Sequence, residues 1–290
     1  MQHLPFFLLG LAVCAAWLPA VPAGRPFQPA PWFALFVAAA AVASLDGILL
    51  PPGWVALAIL AGGAWCAVHA RVAEARHLGT LLACALALAL AAHALPGFQG
   101  IVLIDDLRLA ADSVPFTQRL HFDKGAAGLF LLAVFCPRIT RLDEARRLAQ
   151  PALLAILVGT PLVVVAAALV SGEIRFDPKL PDAAPAFLVV NLLSTCVAEE
   201  SFFRGILQER LSRLVAGRRG LQWLPVAVAT LLFAASHVGG GLAHQGLVAL
   251  VGLGCSLAYA VCRRIEAAIL VHFAVNATHF LLFTYPRATG

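Results

Sequence analysis

Two adjacent carboxylates, Glu199 and Glu200, lie in the middle of the apolar run NLLSTCVAEESFFRGILQERL, with Arg204 following them. An ionised group in hydrocarbon costs several kcal/mol, so charges placed there mark function or a specific pairing. On a regular helix Glu200 and Arg204 are four residues apart and about 40° apart around the axis, close enough to pair. Glu199 and Arg204 are five apart and about 140° apart, a poor match. The expectation is that Arg204 holds Glu200, while Glu199 faces elsewhere, on a stripe with Asn191 and Thr195, as the free acid.

Two later runs add the partners such an acid needs. FAASHVGGG places His237 one turn after Phe233, immediately before three glycines. EAAILVHFAVNATHFLLF places His272 and Asn276 four apart, with His279 continuing the same face. A lone histidine in such a helix is ordinarily a packing or hydrogen-bonding residue, and a His/Asn/His stripe is ordinarily an interhelical seam worth about 0.6–2 kcal/mol per bond. Taken together, Glu, His, His and Asn within about 80 residues suit acyl cleavage by water. Glu199 can take a proton from water and return one to a leaving amine. His237 can position that water, and His272 with Asn276 can donate to an oxyanion. No Ser/His/Asp or Cys/His arrangement has comparable placement.

The elements that must hold these residues are membrane helices. Of 290 residues 61% are hydrophobic and 12% charged, with mean hydropathy +0.90, about half the charge of a soluble domain. The fold class expected is all-α, a polytopic bundle of about 8–10 transmembrane helices with its active site in the C-terminal part. Ten spans are predicted, near 4–22, 30–50, 53–70, 78–96, 124–137, 151–171, 184–208, 221–238, 245–262 and 266–284. The fifth is short for a crossing. The first is read as a helix rather than a removed leader, for want of a basic start and a cleavage site. Residues 1–97 form N-terminal spans of unknown role, 98–183 a loop, a short helix and one span, and 184–290 the core that carries the chemistry. Asp46, beside Pro51 and Pro52, is either functional or interfacial. The seven cysteines form no CxxC pair and read as packing residues.

The +5 net charge is not a nucleic-acid signal, because the basic residues are short clusters between apolar runs. One set of alternate loops holds 13 of them, among them Arg25, Arg71, Arg76, Arg138 to Arg147, Arg210 to Arg219, Arg263 and Arg264. The other set holds six: Arg108, Arg119, Lys124, Arg175, Lys179 and Arg287. The first set is expected in the cytoplasm, with both termini outside. In that topology His237 and His272 differ in depth by up to about 15 Å, a gap that tilt or a broken helix must close.

The three motifs, Glu199-Glu200-x-x-x-Arg204, Phe233-x-x-x-His237 and His272-x-x-x-Asn276, resemble in type and order the CPBP family (CAAX protease and bacteriocin-processing, or Abi) of intramembrane glutamic-type proteases. The resemblance covers roughly 184–284. It implies an endopeptidase acting near the C-terminus of a membrane-associated protein, with a lipidated C-terminus or a hydrophobic sorting tail. It implies Glu199 and His237 as the water-activating pair, His272 and Asn276 on the oxyanion side, and Glu200, Arg204 and Phe233 as orienting residues. The extra N-terminal spans and HFDKGAAGLFLL (121–132) suggest the sorting-tail branch, in a bacterial inner membrane. No cofactor is expected. Zinc is the alternative, disfavoured because no HExxH is present and a His/Asn pair supplies one strong ligand. The residues alone leave two other readings open: a transporter or channel, which predicts polar residues in the early spans and an internal repeat, and a non-catalytic scaffold.

Overall fold

A computed structural model of the chain describes residues 2–18 and 30–289, without the side chain of Leu142. Arg25 and the end of the first predicted span, at 19–22, lie outside the described residues. Ten helices fall where the ten apolar runs predict them: α1 (Leu4–Ala15), α2 (Pro31–Leu45), α3 (Pro51–His69), α4 (Ala73–Ala91), α5 (Phe122–Phe135), α6 (Pro151–Val170), α7 (Ala184–Leu214), α8 (Leu224–Ala235), α9 (Gly241–Cys262) and α10 (Ile265–Leu282). A one-turn helix, Leu142–Ala145, precedes α6. Proline in the first turn starts α1, α2, α3, α6, α7 and α8. There the missing N–H costs nothing and the fixed φ suits the helix.

Among the described residues six of the helices, α3, α4, α6, α7, α9 with the turn before it, and α10, are long and apolar enough to cross a membrane. The all-α bundle expected from composition is the fold. One element departs from it. Within 98–183, expected to hold only loop and helix, β1 (Ile101–Leu107) and β2 (Phe116–Leu120) form a two-stranded sheet. Their aspartates and arginine read as a polar loop by hydropathy, and strand pairing is a non-local contact that helical periodicity does not register.

The described residues divide into two compact units. The first comprises Met1–Val102, Arg119–Cys136 and Leu193–Phe202; the second comprises Leu103–Gln118, Pro137–Leu192 and Phe203–Gly290. The middle of α7 thus belongs to one unit and its two ends to the other.

In the first unit α5 is the packed centre, in contact with α1, α3, α4 and the Val197–Glu200 stretch of α7. Ten of its 14 residues are buried, and Phe122 and Phe130 meet Phe6, Trp32 and Phe36 edge to face or tilted. At 1.5 Å per residue α5 reaches about 21 Å, short of the roughly 30 Å hydrocarbon layer. Its shortness is explained by what surrounds it: protein, rather than lipid, covers most of its length. Asp46 sits at the C-terminal end of α2, not inside it.

In the second unit α9 packs on α6, α8 and α10. Ile104, Ala184, Phe187 and Phe280 form a buried cluster, with the Phe187 and Phe280 rings stacked at 3.8 Å and Phe116 and Tyr285 around them. Residues 287–289 are tied to the 112–114 turn by Val114 N to Arg287 O and Thr289 N to Asp112 O, at 3.1 and 2.8 Å. All seven cysteines are free thiols; Cys136, Cys196, Cys255 and Cys262 are buried, as packing residues should be.

Candidate active site

The two carboxylates of α7 differ in surroundings. Glu200 is fully buried. Glu199 is partly buried, and its Oε1 accepts a hydrogen bond from Lys124 Nζ on α5 at 2.8 Å. Glu199 is therefore not the free acid expected. The counter-charge comes from a helix 75 residues earlier, which no helical-wheel argument on α7 alone can supply. An ammonium against a carboxylate compensates both charges in an apolar setting, where either alone would be costly.

The approach of α5 to α7 depends on a glycine. A Cβ on Gly128 would lie 2.8 Å from the Ala198 Cα and 3.1 Å from its N, both backbone atoms that cannot move aside cheaply. Glycine here lets the two backbones touch and brings Lys124, one turn earlier on α5, within reach of Glu199. Gly128→Ala should destabilise the chain by about 1–3 kcal/mol. Thermal unfolding in detergent checks this, with Ala127→Gly, at a neighbouring buried position, as a cavity-forming control.

The wheel arithmetic for α7 also fails at its premise. Asn191–Cys196 and Ser201–Gln208 are π-helical, with only Val197–Glu200 α-helical between them. Closing i→i+5 rings turns the chain by less than 100° per residue, so the 40° and 140° separations from Arg204 do not apply. π-turns of this kind gather at functional sites, and nothing in side-chain periodicity announces them.

In the second unit Arg204 is fully buried. Its Nη2 donates to the Gly252 carbonyl at 2.8 Å, and its guanidinium lies 4.5 Å from the centre of the Phe233 ring. Phe233 is the hub of the motif residues in this unit. Its ring centre lies 4.9 Å from that of His237 and 5.7 Å, edge to face, from that of His272. Both histidines thus flank one phenyl ring, which removes the depth difference of up to about 15 Å that the predicted spans implied. The closure comes from α8, a helix of only 12 residues, with His237 in the turn that follows it.

His237 Nδ1 is 2.9 Å from the Phe233 carbonyl and 3.1 Å from Ser236 Oγ. A carbonyl can only accept, so the proton sits on Nδ1 and the basic lone pair on Nε2. His272 is buried in the body of α10. Asn276, one turn on, donates from Nδ2 to Asn191 Oδ1 at 3.2 Å. That contact orients the Asn276 amide, and it gives Asn191 a role that its place on the predicted stripe had only hinted at.

Asn276 and His279 line a cavity of about 440 Å³ enclosed by α6, α9 and α10. Its walls are mainly Val164, Val165, Ala168, Leu247, Val248 and Val251, with Glu173 and Arg287 also lining it. His244 is exposed, belongs to the first turn of α9 and also lines this cavity. The arrangement is an apolar chamber with a few directed polar groups, the usual form of a site for an apolar ligand with one reacting centre.

Of the residues singled out in the sequence, Arg204, Phe233, His237, His272 and Asn276 lie in the second unit, with Arg204, His237 and His272 gathered round the Phe233 ring. Glu199 and Glu200 lie in the first unit. Sequence reasoning missed Lys124 as a partner. HFDK at the start of α5 was its available signal, a cation beside an acid at the head of an apolar run.

Residues 181–278 match the family model described as Type II CAAX prenyl endopeptidase Rce1-like. The segment takes in all of α7, α8 and α9 and α10 as far as Thr278, and contains all three motifs, so the family resemblance drawn from them is borne out. No curated protein and no solved structure matches the chain.

Proposed function

We propose, from the similarity of residues 181–278 to CAAX-type prenyl endopeptidases, that the chain is an intramembrane endopeptidase acting near the C-terminus of a membrane-associated protein. The observation that carries the reading is the Phe233 ring with His237 and His272 against it, two imidazoles set for water and oxyanion chemistry beside an apolar chamber.

In the reaction that the family resemblance implies, Glu199 is the residue that takes a proton from the attacking water and His237 the residue that orients it. The hydroxide adds to the scissile carbonyl carbon. The resulting oxyanion accepts hydrogen bonds from Asn276 Nδ2 and from His272. As the carbon–nitrogen bond breaks, the proton on Glu199 passes to the leaving amine, and the carboxylate is restored. Lys124 keeps Glu199 in place, and Arg204 and Phe233 hold the histidine side of the site. The chain's own residues suffice for these steps without a metal. The cavity walls suit a lipid-modified or hydrophobic C-terminal segment, in a bacterial inner membrane.

The test is cleavage by protein reconstituted in liposomes, read by mass spectrometry, of a farnesylated CAAX peptide and of a transmembrane peptide with a short polar tail. A defined new C-terminus from one of them is expected. Intact peptides with folded enzyme, over a panel of both kinds, would remove the endopeptidase reading. Asn276→Ala should lower turnover about 10²-fold while leaving substrate binding little changed, because an oxyanion donor acts in the transition state. An equal loss in binding would make Asn276 a packing residue instead.

A further inference from the structure

A cluster of metal-binding side chains that belongs to none of the three motifs lies in the first unit. His93, in the turn after α4, His121, just before α5, and Asp123, in the first turn of α5, each present one ligand atom within 4.8 Å of the other two. His93 Nδ1 is 2.8 Å from Asp123 Oδ2, and the two imidazoles stack with ring centres 3.8 Å apart. Asp123 Oδ1 accepts the Lys124 backbone N–H at 2.8 Å, and the carboxylate is almost wholly buried.

Two features show the cluster is held in this form. His93 has φ +56, in the left-handed region, where glycine is the usual helix-ending residue. A non-glycine residue kept there, at a small cost in strain, points to a use for its side chain. Gly100 makes room on the other side, since a Cβ at that position would lie 2.9 Å from His121 Cε1.

We propose that His93, His121 and Asp123 form a binding site for a divalent transition-metal ion, zinc first. Two imidazole nitrogens and one carboxylate oxygen make a three-ligand set with a fourth, tetrahedral position left for water. Donors around zinc stand about 3.3 Å apart, given bond lengths of about 2.0–2.2 Å. The ion therefore replaces the proton between His93 and Asp123 and parts the pair by about 0.5 Å. The site ties the loop after α4 to the head of α5, one residue before Lys124. Its role is to fix the helix that carries the Glu199 counter-charge, and it takes no part in the peptide-cleaving steps.

The experiment uses the full-length chain in detergent, loaded with Zn²⁺ alone, dialysed against metal-free buffer and analysed by mass spectrometry of bound metal. About one zinc per chain is expected, together with a higher unfolding temperature. Both effects should vanish in His93→Gln and His121→Gln, and both should persist in Glu199→Gln and His272→Asn. Absence of bound zinc at micromolar concentrations, or its retention by both Gln variants, would overturn the proposal. So would loss of zinc in Glu199→Gln or His272→Asn with retention in His93→Gln, which would place the metal among the motif residues. If the Gln variants do not fold, Co²⁺ bound to a Glu199→Gln, His272→Asn chain decides the matter. A tetrahedral visible spectrum without thiolate charge transfer supports the site, and no spectrum overturns it. Failure of peptide cleavage leaves these readings unaffected, because none of them uses turnover.

Discussion

Replacing Glu199 by Gln should leave a folded chain whose peptide cleavage has fallen by about 10²- to 10⁴-fold, the range for loss of a general acid–base group. The amide keeps the shape and a hydrogen-bond acceptor for Lys124 Nζ, now 2.8 Å from the carboxylate, but cannot shuttle a proton. The substitution leaves Lys124 without its counter-charge. Its side chain is about one-fifth exposed, so the ammonium can still reach polar surroundings, and the loss of stability should be modest. Lys124→Met tests the same pair from the other side and should cost more stability than Glu199→Gln, since Glu199 is the deeper of the two. Steady-state cleavage alongside thermal unfolding separates the two effects. Should Glu199→Gln cleave at the parent rate while Glu200→Gln is folded and inactive, the acid–base role belongs to Glu200.

The second large effect is on stability. Arg204 is one of the largest fully buried side chains, with its guanidinium against the Gly252 carbonyl and over the Phe233 ring. Arg204→Met removes both contacts and leaves a fully buried carboxylate, Glu200, four residues earlier on the same helix. Removing one member of a buried charge pair, which the sequence expects Glu200 and Arg204 to be, costs about 3–5 kcal/mol, enough to remove much of the folded protein. Glu200→Gln with Arg204→Met should cost less than the two single changes together, because neither charge is then stranded. A strictly additive double variant would show that Arg204 is held by Gly252 and Phe233 alone.

Composition and residue order determined a good deal here. An apolar run needs no tertiary partner to be recognised, because the bilayer requires every backbone polar group in it to be bonded within the helix. All ten helices therefore fall on runs read directly from the sequence, several of them opened by a proline. The rarity of charge in such runs likewise made Glu199, Glu200, Arg204, His237, His272 and Asn276 stand out before any coordinates. Their order carried the family resemblance that the match over 181–278 bears out.

What only the tertiary structure decided is who meets whom. The partner of Glu199 is Lys124, 75 residues away and made accessible by Gly128. The short α5 is a buried packing element because other helices enclose it, not because of its own length. The π-turns of α7 shift the faces of its side chains, and Phe233 brings a histidine from the turn after α8 and one from α10 to one ring. Each of these depends on contacts between distant segments or on backbone hydrogen-bond register. A local periodicity of 3.6 residues contains no information about either.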